Sequence, residues 1–184
     1  MAEYNLAVIP GDGVGPEVVA EGRKVLDSLA ADMPGLSFRY TEFPWGSDYY
    51  RETGALMPED GLELLSPCDA ILFGAVGGPK WDDPSASHRP EDAILGLRKA
   101  LGLFANLRPV KVYPSLINSS PIKPHLLEGV DIMVVRELTS GLYFGRPKKL
   151  WTTSRGRRGV DTLRYTEKEI ERILRVGFEL ARGR

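Results

Sequence analysis

Three arginines and one tyrosine hold most of the chemical potential of this 184-residue chain. Arg98 lies on a helically spaced segment that begins at Glu91, and Arg108 stands in Asn106-Leu107-Arg108-Pro109, just ahead of the run Val110-Lys111-Val112-Tyr113. Arg136 ends the apolar run Ile132-Met133-Val134-Val135 and is followed by Glu137. The last two arginines flank predicted strands, whose side chains can converge on one crevice. A guanidinium presents a planar fork of donors that can grip a carboxylate through two bonds. Three of them suggest a small acid with two carboxylates. Each could instead hold a separate structural salt bridge, and taken alone the residues favour that simpler reading. Tyr143 follows Gly141 after the same strand as Arg136. A phenol there can serve as a general acid or pack as an ordinary aromatic.

Two glycine-bearing loops invite a ligand. Gly11-Asp12-Gly13-Val14-Gly15 lies between a strand and a helix, but its spacing is G-x-G-x-G and Pro16 closes it. That departs from the G-x-G-x-x-G dinucleotide fingerprint, so a tight strand-to-helix turn is the plainer reading. Gly77-Gly78-Pro79-Lys80-Trp81-Asp82 follows a long apolar strand. Ligands of open α/β sheets bind at the carboxyl ends of strands, where glycine lets backbone approach closely. A plain surface loop is the alternative. His88, in a Ser/Pro-rich loop, reads as a solvated side chain, and His125, between Pro124 and Leu126, gives less reason still for a functional role.

The elements that would position these groups alternate. Leu6-Ala7-Val8-Ile9 reads as a buried strand and Pro16-Glu17 as a helix start, with Val18, Val19, Gly22, Val25, Leu26 and Leu29 at helical spacing. Residues 38–43, Ala70-Ile71-Leu72-Phe73, 110–113 and 132–135 read as further strands; Pro58 and Glu91 open helices. Alternation of this kind predicts an α/β fold with a mainly parallel sheet. Thr166-Glu167-Lys168-Glu169 is a capping box, and Ile170, Ile173, Leu174, Gly177, Phe178 and Ala181 form an apolar stripe behind it. Between 141 and 165 the periodicity lapses, as in a loop or a projecting hairpin. A change of domain is expected near Phe104, giving regions 1–103 and 104–184.

Composition narrows the function. The net charge is -1, with 24 basic against 25 acidic residues, so no global pull toward nucleic acid or anionic membrane exists. Arg155-Gly156-Arg157-Arg158 is too short a run to change that. No transmembrane span or signal segment is visible. The single cysteine, Cys68, excludes an intrachain disulfide and fits a cytoplasmic setting; it reads as a small buried thiol.

Taken in order, LAVIPGDGVGPEV at 6–18, FGAVGGPKWD at 73–82, RPEDAILGLRKALGLFANLRPVKVYP at 89–114 and VDIMVVRELTSGLYFGRP at 130–147 resemble the β-decarboxylating dehydrogenases, and most closely the 3-isopropylmalate branch. The likeness runs to the final helix. It implies an α/β fold with flanking helices on a parallel or mixed sheet, incomplete relative to the family. It also implies NAD binding without the usual fingerprint, with the loop from Gly78, Pro79, Lys80, Trp81 and Asp82 to Glu91 bordering the cofactor. By the same resemblance Arg98, Arg108 and Arg136 hold the substrate carboxylates and Tyr143 is the catalytic tyrosine.

The family reaction oxidises a 2-hydroxy dicarboxylate with NAD and Mg²⁺ or Mn²⁺ and releases carbon dioxide. Relatives that take isocitrate carry a serine and an asparagine ahead of the first arginine. Here Ile94 offers an apolar surface suited to an isopropyl group, which favours 3-isopropylmalate and a place in leucine biosynthesis. Isocitrate, homoisocitrate and tartrate or malate are the alternative substrates, and a non-catalytic dicarboxylate-binding or assembly module is the alternative function. Ser140 stands where relatives often have glycine. The resemblance places the catalytic lysine and the metal-binding aspartates beyond Arg184, so no metal ligand is expected in this chain. It also implies a homodimer joined through an arm at 141–165, and some apolar faces left without partners here.

Overall fold

The computed structural model describes residues 2–79 and 90–184, with Pro90 and Glu91 described by backbone alone. The chain forms two compact units, Met1–Leu97 and Arg98–Arg184, which divide within a helix that precedes the expected change at 103–104.

The first unit is built on a parallel sheet in the order β2-β1-β3, with β1 Ala2–Gly11, β2 Leu36–Glu42 and β3 Ala70–Ala75. The centre of β1 is buried: Leu6, Ala7, Val8 and Ile9 are all inaccessible or nearly so. A strand covered on both faces needs a continuous apolar run rather than an alternating one, which is why this segment is legible in sequence. Helix α1, Gly15–Asp32, has its proline in the first turn, where a missing N–H breaks no helical bond. Val19 is buried, and a Cβ at Gly22 would touch Leu72. Val18, Val25 and Leu29 stay exposed, so the outer part of the apolar series has no cover among the described residues.

Two short helices follow, α2 Ser47–Thr53 and α3 Gly61–Leu65. The helix expected from Pro58 begins instead at Gly61, because Pro58 accepts at its carbonyl from Gly61 N–H and closes a turn first. Phe43, Trp45, Leu65 and Leu97 complete the core around Ala7 and Ile9, and Cys68 packs half-buried against it. Helix α4, Pro90–Ala100, carries Leu97 into that core.

The second unit holds an antiparallel pair, β4 Ala105–Lys111 and β5 Asp131–Glu137. This corrects the expected strand at 110–113: β4 starts earlier and runs through Pro109, so Arg108 lies inside it, not ahead of it. Proline is tolerated because β4 has no second neighbour among the described residues, and an edge strand need not donate on its free side. The segment at 141–165 contains a hairpin, β6 Lys149–Thr153 with β7 Gly156–Val160.

Helix α5, Glu167–Arg182, has the full capping box: Thr166 accepts from Glu169 N–H and the Glu169 carboxylate accepts from Thr166 N–H. Its apolar stripe is split. Ile173 and Gly177 are half-buried with Val176 and Leu180, whereas Ile170, Leu174 and Phe178 are exposed. The hydrogen bonds from Thr166 hold the Glu169 carboxyl below its ordinary value of 4.5. A carboxyl whose pKa is depressed by folding stabilises the fold above its unfolded value and loses that contribution as pH falls. Thermal unfolding followed by circular dichroism should therefore weaken below about pH 4.5, and Glu169→Gln should flatten that acid limb. Thr166→Ala should cost about 1 kcal/mol at neutral pH.

Candidate functional site

The register of β4 and β5 puts Asn106 directly opposite Arg136 and Arg108 opposite Val134. Facing residues of an antiparallel pair project to one side, and so do residues two apart on a strand. Arg108 and Arg136 therefore share a face, on a diagonal, with Asn106 between them. Asn106 Oδ1 accepts from Arg108 Nε at 2.8 Å. The sequence signal for Asn106, a residue to which sequence reasoning assigned no role, is its two-residue spacing to Arg108 on a strand.

Arg98, near the end of α4, belongs to the same cluster. Its pKa is lowered by burial first and then by the positive charges of Arg136 and Arg108. Among the described residues no carboxylate pairs with Arg98, Arg108 or Arg136. The acidic residue nearest in sequence, Glu137, pairs with Arg172. Among the described residues these arginines make no separate structural salt bridges. They form a cationic cluster whose members repel each other, the arrangement an anion relieves.

Tyr143 lies in the turn after β5, and the Arg136 guanidinium stands 5.0 Å from the centre of its ring. The turn is tightly held. Gly141, at φ +65, donates to Arg164 O at 3.0 Å, and a Cβ there would fall 2.2 Å from the Tyr165 hydroxyl. Ser140 Oγ donates to Arg164 O at 2.8 Å, which adds a second tether.

In the first unit, Gly11-Asp12-Gly13-Val14-Gly15 is a packing turn. A Cβ at Gly11 would lie 2.0 Å from Ala75 O and one at Gly15 would lie 2.1 Å from Pro10 O. Backbone fills the space a pyrophosphate would need on that side. Asp12 fastens the turn: its carboxylate accepts from Ser47 N at 2.7 Å, Ser47 Oγ at 2.6 Å and Gly77 N at 2.9 Å. Gly78, just beyond, is open, with no atom within 4 Å of a built Cβ, and Pro79 is exposed. Lys80, Trp81 and Asp82 lie outside the described residues, as does the side chain of Glu91. Ile94 is half-buried on α4, four residues ahead of Arg98. No group of three metal-ligating side chains occurs among the described residues.

The family described as isocitrate/isopropylmalate dehydrogenase matches residues 5–184. The chain belongs to this family. Its similarity to 3-isopropylmalate dehydrogenase of Dehalococcoides mccartyi is 51% identity over 183 residues, 99% of this chain and 50% of that protein. The enzyme of the same name from Aquifex aeolicus is 47% identical over 184 residues, 100% of this chain and 50% of its own length. A crystal structure of a β-decarboxylating dehydrogenase from Thermococcus kodakarensis, in its apo form, superposes with a TM-score of 0.63 at 36% identity, covering 98% of this chain and 46% of that one. The isocitrate dehydrogenase of Methylococcus capsulatus, at 24% identity and a TM-score of 0.68, shares the fold. The chain spans about half the length of the curated relatives it matches.

A cluster of this kind makes a measurable prediction. A dicarboxylate that binds only the folded state stabilises it by RT ln(1 + [L]/Kd), about 2.7 kcal/mol at a hundredfold excess over Kd. Malate or an alkylmalate should raise the unfolding midpoint of the chain more than acetate at equal carboxylate concentration. Raised ionic strength should reduce the difference.

Proposed function

We propose that this chain is the substrate-gripping part of an NAD-dependent 3-isopropylmalate dehydrogenase, which converts 3-isopropylmalate to 2-oxoisocaproate and carbon dioxide. The observation that carries the reading is the cluster of Arg98, Arg108 and Arg136, without a carboxylate partner among the described residues, with Tyr143 against Arg136. The arginines bind and orient the two carboxylates, with Asn106 holding the Arg108 fork in place. Tyr143 donates a proton to the carbon that has lost carbon dioxide. Ile94, on the same helical face as Arg98 by the i, i+4 spacing, supplies an apolar surface for the isopropyl group.

NAD supplies the hydride acceptor when bound. The open glycine at Gly78 fits a cofactor that approaches the backbone closely at the end of β3; Pro79, Lys80, Trp81, Asp82 and Glu91 complete that border by resemblance. The described residues offer no ligand set for Mg²⁺ or Mn²⁺, and the resemblance places those ligands beyond Arg184. The β6–β7 hairpin exposes Leu150 and Trp151, in keeping with an arm that joins a second copy into a homodimer. Among the described residues no helix is long and apolar enough to cross a membrane, and a cytoplasmic enzyme is the reading we favour.

A substrate comparison tests this. In the chain carried on to the length of its relatives, kcat/KM for 3-isopropylmalate should exceed that for isocitrate. An apolar site rejects a third carboxylate strongly yet separates neighbouring alkylmalates by only ~1–3 kcal/mol per methylene. Faster turnover of isocitrate would defeat the assignment.

A further inference from the structure

We infer that Arg172, acting through Glu137, is a positioning residue that fixes the turn presenting Tyr143 to Arg136. The inference rests on Tyr143 being the proton donor, as proposed above.

Successive strand residues point to opposite faces. Arg136 faces the arginine cluster, so Glu137 turns away from it. The Glu137 side chain is only 7% exposed. Its carboxylate accepts from Thr139 N at 2.9 Å, Thr139 Oγ at 2.5 Å and Ser140 N at 3.0 Å, which closes the turn just ahead of Tyr143. The cation that balances it comes from α5: Arg172 donates to Glu137 Oε1 at 3.1 Å and also to Thr139 Oγ. The Arg172 guanidinium lies 4.5 Å from the centre of the Phe104 ring, and Phe104 O accepts from the buried Leu138 N–H at 2.8 Å. The turn is thus fastened at 138, 139 and 140 through one arginine, one carboxylate and the strand they flank.

The strand pleat keeps this carboxylate on the face away from the arginines, where Arg172 pairs with it. When Tyr143 acts, its O–H bond breaks as the new C–H bond forms on substrate, and the phenolate regains a proton from solvent. The rate of that step depends on where the turn holds the phenol; the grip of the arginines on substrate does not.

The test compares Arg172→Met and Arg172→Lys with the parent, in the chain carried on to the length of its relatives. Hydrogen exchange at the Thr139 and Ser140 amides should speed up by about tenfold or more in Arg172→Met. With 3-isopropylmalate, kcat should fall about tenfold while KM stays within about twofold, the pattern of an interaction used only in the transition state. Slow protonation after fast hydride transfer should give a pre-steady-state burst of NADH that the parent lacks. Arg172→Lys should recover part of the rate. Unchanged amide exchange would overturn the inference, as would a fall in kcat that brings no burst and only follows the loss of folded protein. If the parent turns over a different 2-hydroxy dicarboxylate, the same comparison on that acid decides the role of Arg172, and only the substrate assignment falls.

Discussion

Tyr143→Phe should lower kcat by roughly 10²–10⁴-fold with little change in KM. The substitution removes one oxygen and keeps the ring, so the stacking of Arg136 over residue 143 at 5.0 Å can persist. On the proposed roles the arginine grip on substrate is then unaltered, which is why KM should hold, and what is lost is a proton donor that acts only after carbon dioxide has departed. An interaction used in the transition state and absent from the ground state appears in kcat. Steady-state NADH formation from 3-isopropylmalate in the chain carried on to the length of its relatives measures both constants. A rise in KM at constant kcat would make Tyr143 a binding residue.

If Arg136 grips a substrate carboxylate as proposed, Arg136→Met should lower kcat/KM by about 4 kcal/mol, roughly a thousandfold, because one partner of a close charge pair is lost. Stability should move in a different way. In the free protein Arg136 has no carboxylate partner among the described residues, and its charge depresses the pKa of Arg98. Removing it relieves that repulsion while giving up a cation–π contact worth ~0.5–1 kcal/mol. The two effects nearly cancel, so the unfolding midpoint should change little. A large activity loss at near-constant stability identifies a group kept for function. A parallel collapse of stability would instead make Arg136 part of the fold, and the proposed grip would lose its strongest member.

The parts of the fold legible in sequence are those set by local rules. Leu6 to Ile9 reads as a strand because burial on both faces demands an unbroken apolar run. Pro16 and Thr166 mark helix starts through bonds confined to one turn. Segments governed by tertiary context were less legible. Helix α2, Ser47-Asp48-Tyr49-Tyr50-Arg51-Glu52-Thr53, has no apolar period; its first residue is tied to Asp12, 35 positions earlier. The strand expected at 110–113 in fact runs from Ala105 through Pro109, and the tolerance of that proline depends on which edge of β4 is free. The arginine cluster shows the same limit. Residue types suggested a dicarboxylate, yet a shared face needs the register that sets Asn106 opposite Arg136. The partner of the Glu137 carboxylate is likewise distant in sequence: Arg172, 35 residues beyond it.

The most direct measurement is NADH formation from 3-isopropylmalate with Mg²⁺ or Mn²⁺, comparing the 184-residue chain with the chain carried on to the length of its relatives. On the proposed roles only the longer protein should turn over, because the arginines and Tyr143 would bind and protonate but would need a base and metal ligands from elsewhere. Turnover by the 184-residue chain would contradict those roles and would require a second catalytic set within these residues.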